Sequence, residues 1–130
     1  MCKSGFIDRL RWFEIPTHDL ERATRFYKTL LDKSLKCENF GSSPLALSEH
    51  DDGQTGGALV QDPHGSKPAA AGPVLDLDAG ESAQAALERA RRAGGIIEGV
   101  VVIELPREIG YIAYVLDTEG NHIGLHARGR

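Results

Sequence analysis

The chain has 130 residues, 41% of them hydrophobic and 26% charged, which suits one globular core and excludes a disordered or fibrous protein. A formal net charge of -4 and a pI near 5.7 argue against nucleic acid as a partner, since phosphate binding needs a basic surface. No apolar run approaches membrane-spanning length, so no membrane partner is expected. Met1–Leu10 carries Lys3, Asp8 and Arg9 where a signal peptide would have an apolar stretch, and Cys2 and Cys37 have no metal or redox spacing, so the expected setting is the reducing cytoplasm.

In chain order, Leu10–Pro16 reads as a strand, and Thr17, His18 and Asp19 supply helix-start chemistry for a helix running to Leu31 or Asp32. Ser34–Phe40 and Leu45–His50 follow as strands around the turn Gly41–Pro44, then the turn Asp51–Gly53 and a fourth strand, Gly57–Gln61. Pro63, Gly65, Pro68 and Gly72 rule out a helix or central strand next, so residues 62–72 read as a linker. The order then repeats: strand Val74–Asp78, helix Ser82–Ala93 stopped by Gly94-Gly95, a β-branched run Ile96–Leu105, a turn at Pro106–Gly110, and strands Tyr111–Leu116 and His122–Ala127 around Asp117–Asn121. The whole is one domain of α+β class, made of two tandem βαβββ modules over residues 10–61 and 73–127.

Duplication explains the repeat, and alternation gives each copy two faces. Trp12, Glu14 and Pro16 oppose Phe13 and Ile15 on the first strand; Val74, Asp76 and Asp78 oppose Leu75 and Leu77 on its counterpart. Leu20, Ala23, Tyr27, Leu30 and Leu31 form an apolar stripe on the first helix, as Ala83, Ala86, Leu87, Ala90 and Ala93 do on the second. Each stripe is expected to cover the purely apolar strand face, leaving the mixed face with Glu14 and Asp76 to line something else. Arg89–Arg92 reads as the solvated side of the second helix, with Glu88 supporting Arg92.

Trp12–Tyr27, with Asp19-Leu20-Glu21-Arg22-Ala23 and Phe26-Tyr27, and Asp117–Leu125 (DTEGNHIGL), together with Gly56–Val60 and Ala93–Ile97, resemble the glyoxalase / bleomycin-resistance / extradiol-dioxygenase superfamily, also called vicinal oxygen chelate. The resemblance implies the glyoxalase-like fold, in which the two modules form an incomplete barrel around a cavity. It also implies a homodimer, and either metal-assisted chemistry or small-molecule binding in that cavity.

The resemblance further implies a divalent metal held by His and Glu side chains, which donate compact nitrogen and oxygen lone pairs. The corresponding positions here are Trp12, the donor-free stretch Gly57–Val60, Pro73 or Val74, and Gly124. None is a ligand, so no metal cofactor is expected. A displaced divalent site, were there one, would use Glu14, His122 and His126, which share faces with Trp12 and Gly124. His50-Asp51-Asp52-Gly53 lacks the spacing of a calcium loop, no glycine pair sits in a phosphate loop, and no serine sits in a nucleophile elbow.

The expected ligand cavity is lined by Trp12, Glu14, Asp76, Tyr114, His122, Gly124 and His126, with Trp12 as a stacking wall, Tyr114 as a hydrogen-bonding phenol, and Glu14 and Asp76 favouring a positive charge. The leading reading is a small-molecule binding protein taking a cationic or aromatic ligand without a catalytic metal. Two alternatives stay open: a metal-dependent lyase, isomerase or dioxygenase with displaced ligands, and a non-catalytic interaction domain whose cavity Trp12 plugs.

Overall fold

A computed structural model describes residues 10–40, 43–48, 55–97 and 102–130. The elements run β1 (Trp12–Pro16), α1 (Leu20–Leu31), β2 (Leu35–Phe40), β3 (Ser43–Ser48), β4 (Gly56–Val60), β5 (Leu75–Asp78), α2 (Ala83–Arg92), β6 (Ile96–Ile97), β7 (Ile103–Leu105), β8 (Gly110–Leu116) and β9 (His122–Ala127). They form an α+β protein with two sheets, ordered β1-β4-β3-β2 and β5-β9-β8-β6, with β7 also paired to β8. Each sheet opens with a parallel pair, β1 with β4 and β5 with β9, and continues antiparallel. This is the crossover demanded by a helix between the first two strands of a module.

Local chemistry sets both helices. Asp19 caps α1, its Oδ1 accepting from the Arg22 N–H at 3.1 Å, and Ser82 caps α2 by accepting from the Ala85 N–H. The buried stripes are Leu20, Ala23, Phe26, Tyr27 and Leu30 on α1, and Ala83, Ala86, Leu87 and Ala90 on α2. Phe26 extends the first stripe beyond the expected residues, and its ring packs so closely on Gly95 that a Cβ there would lie 2.8 Å from it. Ile15, Ala46 and Leu59 from the first sheet and Ala113, Val115, Ile123, Leu125 and Ala127 from the second complete the core, with Phe13, Leu75 and Leu77 packed against it. The apolar strand faces therefore meet the helices as alternation predicts, and the faces of Glu14 and Asp76 turn away.

Four expectations change. The run Ile96–Leu105 is not one uniform strand: Ile97 pairs with Val115 and Ile103 with Ile112, so six residues span a distance that takes three on β8, and the ladder breaks into β6 and β7. β3 begins at Ser43 rather than Leu45, because pairing with β2 continues to Phe40 opposite Ser43. Arg89 is half-buried rather than wholly solvated: it donates to the Leu30 carbonyl at 2.8 Å and the Ala79 carbonyl at 3.0 Å, tying the end of α1 to the second module. Glu88 pairs with Arg91, one turn away, instead of Arg92. The turn Asp51–Gly53 and His50 lie outside the described residues.

The halves are joined by a polar clasp. Glu119, in the β8–β9 turn, accepts from the backbone N–H groups of His18 and Asp19 at 2.9 and 2.8 Å and from Arg22 at 2.8 and 3.0 Å. Tyr27 donates to Asp117 at 2.5 Å, and Asn121 donates to the Pro16 carbonyl at 2.8 Å while accepting from the Ala69 N–H. Among the described residues no helix is long and apolar enough to cross a membrane.

Candidate functional site

The open face of the second sheet gathers most of the expected site residues. In the register, Asp76 lies beside Gly124 across the parallel β5–β9 pair, and Tyr114 lies on the other side of Gly124 across β8–β9. His122 and His126 stand two residues before and after Gly124 on the same face, because side chains alternate. The bare glycine is what shapes this row. The Asp76 carboxylate leans into the space above it, so that a Cβ on Gly124 would stand 1.8 Å from Asp76 Oδ1.

That position alters the carboxyl group. Although Asp76 is an exposed residue, local desolvation of its carboxyl against the sheet pushes its pKa up, while the nearby His126 and His122 pull it down without cancelling the effect. His122 packs on Tyr114 with ring centroids 5.1 Å apart. His126 is anchored, its Nε2 2.7 Å from the Ile109 carbonyl. That contact holds the turn Pro106–Ile109, in which Arg107 and Glu108 both have positive φ, 55° and 60°. It is a mirror-image hairpin turn without the usual glycine or asparagine.

Trp12 and Glu14 belong to the first sheet, where they pair with Gly56 and Ala58. Glu14 beside Ala58 thus repeats the placement of Asp76 beside Gly124: a carboxylate against a small residue on the module's parallel partner strand. Trp12 is 42% exposed, and its indole N–H donates to Glu14 Oε2 at 3.3 Å. Glu14 also reaches a pocket of about 140 Å³ between the two sheets, lined by Glu14, Ile15, Pro16, Lys67, Ala69, Ala71, Pro73, Leu75, Asn121, His122 and Ile123. His122 is therefore shared: it faces this pocket and lies near Asp76. Asp76, Tyr114, Gly124, His126 and Trp12 do not line the pocket. A second recess, purely apolar, lies under α1 against Phe13, Tyr27, Leu35 and Leu59.

The donors do not fit the metal implied by the resemblance. An indole and a glycine stand at two of its positions, an aspartate from β5 fills the space over that glycine, and β4 offers only Gly, Ala, Leu and Val. Among the described residues no group of three or more His, Cys, Asp or Glu is placed to hold an ion.

Sequence reasoning read Asp117–Asn121 only as a turn and a point of resemblance, and did not see it as the clasp. Burial pushes the Glu119 carboxyl up, but hydrogen bonds from Arg22, the Asp19 N–H, Thr118 and the His18 N–H outweigh it and hold the group at about 2. Lys67 was missed as well, because nothing in a proline-rich linker marks a lysine that folds back to a pocket.

A fold of two βαβββ sheets with open faces is that of the glyoxalase class, and the comparisons agree. A family model described as bleomycin resistance protein-like N-terminal matches residues 9–31, which span β1 and α1. No curated protein sequence matches the chain. The maize (Zea mays) V278E glyoxalase I mutant structure is similar with a TM-score of 0.69 at 20% identity, covering 92% of this chain and 46% of that one, so this chain spans about half its length. A glyoxalase/bleomycin resistance protein from Albidiferax ferrireducens T118 gives 0.65 at 18% identity, over 92% of this chain and 96% of that one. The fosfomycin resistance protein FosX from Listeria monocytogenes gives 0.64 at 15% identity, over 91% and 89%. The chain thus has the glyoxalase/bleomycin-resistance fold, and the resemblance holds in sequence over residues 9–31.

Proposed function

We propose that the protein binds a small cationic, ring-bearing molecule on its open sheet faces and does so without a catalytic metal. The observation carrying this is the Asp76 carboxylate set over Gly124, with His122, His126 and Tyr114 around it. Asp76 is open to solvent, so a cation can reach its carboxylate, and the two attract by Coulomb's law. Trp12 with Glu14 offers a second, similar pairing of aromatic ring and carboxylate, suited to cation–π contact. That the FosX and glyoxalase/bleomycin resistance neighbours are named for resistance to small molecules is in keeping with this reading.

The reading includes a homodimer. Trp12, Val74 and Ile103, on or flanking the open faces, are 42%, 38% and 44% exposed, and a second copy would cover them. Light scattering should give twice the 14.1 kDa chain mass. Trp12 is the single tryptophan, so titrating a panel of cationic aromatic compounds against its fluorescence tests binding directly. Saturable quenching lost on Asp76→Asn supports the proposal. No quenching and no thermal shift with any compound refutes it, and stoichiometric metal lost on Glu14→Ala would replace it with the metal-enzyme alternative.

A further inference from the structure

The pocket between the sheets differs from the open face in both chemistry and construction. Its floor is apolar, made by Ile15, Leu75 and Ile123, residues of the helix-facing sides of three strands. Its polar lining comes from Glu14, Asn121, His122 and Lys67, and one wall is the linker segment that runs from Lys67 to Pro73. Asn121 fixes this wall by accepting from the Ala69 N–H at 3.2 Å while donating to Pro16.

Residues of opposite charge line one space here. Glu14 gives one oxygen to the Trp12 indole, and a carboxylate has room for several more donors. The Lys67 ammonium donates to the Pro63 carbonyl at 2.6 Å, and it carries three protons. Backbone polarity adds to this. The Thr17 N–H bonds the Val60 carbonyl and the Gly56 N–H bonds the Arg11 carbonyl, so odd-numbered residues of β1 serve β4. Glu14, at an even position, therefore directs its own N–H and C=O to the strand's other edge, as Pro16 does in accepting from Asn121. A volume of about 140 Å³ equals roughly five waters and is below the several hundred Å³ of a drug-sized site.

We infer that this pocket is a binding site for a small zwitterion with a short aliphatic body, such as a free amino acid, held with its ammonium on Glu14, its carboxylate on Lys67 and its hydrocarbon on Ile15, Leu75 and Ile123. The site shares Glu14 and His122 with the open face but does not need a ligand to bind there.

Amide NMR shifts of the full chain, titrated into the millimolar range, test it with L-valine and 4-aminobutyrate as zwitterions and isobutylamine and isovalerate as the two halves of valine. Saturable shifts at Ile15, Leu75, His122 and Ile123 with at least one zwitterion are expected. The half-molecules should bind about tenfold more weakly or worse, and Glu14→Gln and Lys67→Ala should each cost a similar factor, as loss of one charge-assisted contact does. Asp76→Asn should leave zwitterion binding unchanged. No saturable shift with either zwitterion, or equal binding by isobutylamine, overturns the inference. Both variants alter exposed side chains, and their unliganded spectra report whether the fold is kept. Zwitterion binding without quenching by cationic aromatics would sink only the open-face reading, and the reverse would sink only this one.

Discussion

Replacing Glu119 with glutamine tests the clasp between the modules. The Glu119 side chain is fully buried, whereas Arg22 is 45% exposed, and hydrogen bonds from Arg22 and from the backbone of Asp19 and His18 together hold its charge. Its carboxyl sits at about 2 against an ordinary value of 4.5, a difference worth about 3 kcal/mol at neutral pH. The sign follows from the depressed value. The stabilisation is complete above the unfolded-state pKa and is lost as pH falls from there toward 2. Urea unfolding of wild type and Glu119→Gln at pH 7, with a series down to acid pH, reads both quantities. The variant should be less stable by roughly 2–4 kcal/mol at pH 7, and the gap should narrow steadily below about pH 4.5. With a typical total of roughly 5–15 kcal/mol, the variant still folds. A gap under about 0.5 kcal/mol at pH 7 that does not change with pH would show that Glu119 is not the clasp described.

Further predictions test other parts of the molecule. Gly124→Ala should expel the Asp76 carboxylate from its seat, abolishing quenching by cationic aromatics while thermal unfolding shifts little, since the displaced group is the end of a side chain. Because the Asp76 pKa is raised by burial, cation affinity should fall on acidification at a higher pH than an ordinary aspartate would give, and fluorescence titrations across that range read the midpoint. Tyr27→Phe removes the donor to buried Asp117 and should cost about 1–3 kcal/mol in urea unfolding. Glu108→Gly should stabilise the protein by up to about 1 kcal/mol, since glycine accepts the positive φ that glutamate adopts there.

The two helices, their caps and their buried stripes were legible in the sequence because they depend on neighbours three and four residues away, a spacing the chain itself sets. The sidedness of β1 and β5 was legible for the same reason: alternation requires Glu14 and Asp76 to oppose Ile15 and Leu77 whatever packs nearby. The break in the Ile96–Leu105 run was not legible, since it depends on how many residues β8 offers in the matching stretch. The absence of ligands at Trp12 and Gly124 could be read off by position, but the Asp76 carboxylate standing over Gly124 could not.

Composition and periodicity alone thus determined an α+β chain of two similar modules, each with one face for its helix and one left open. The tertiary structure alone decided which distant groups come together: Glu119 with the start of α1, Lys67 and Glu14 in the lining of one pocket, and His122 with the surroundings of Asp76. Local periodicity is fixed by backbone geometry within a few residues, whereas these meetings join groups dozens of residues apart. They depend on how distant strands pair and how the modules dock, which no short stretch of sequence encodes.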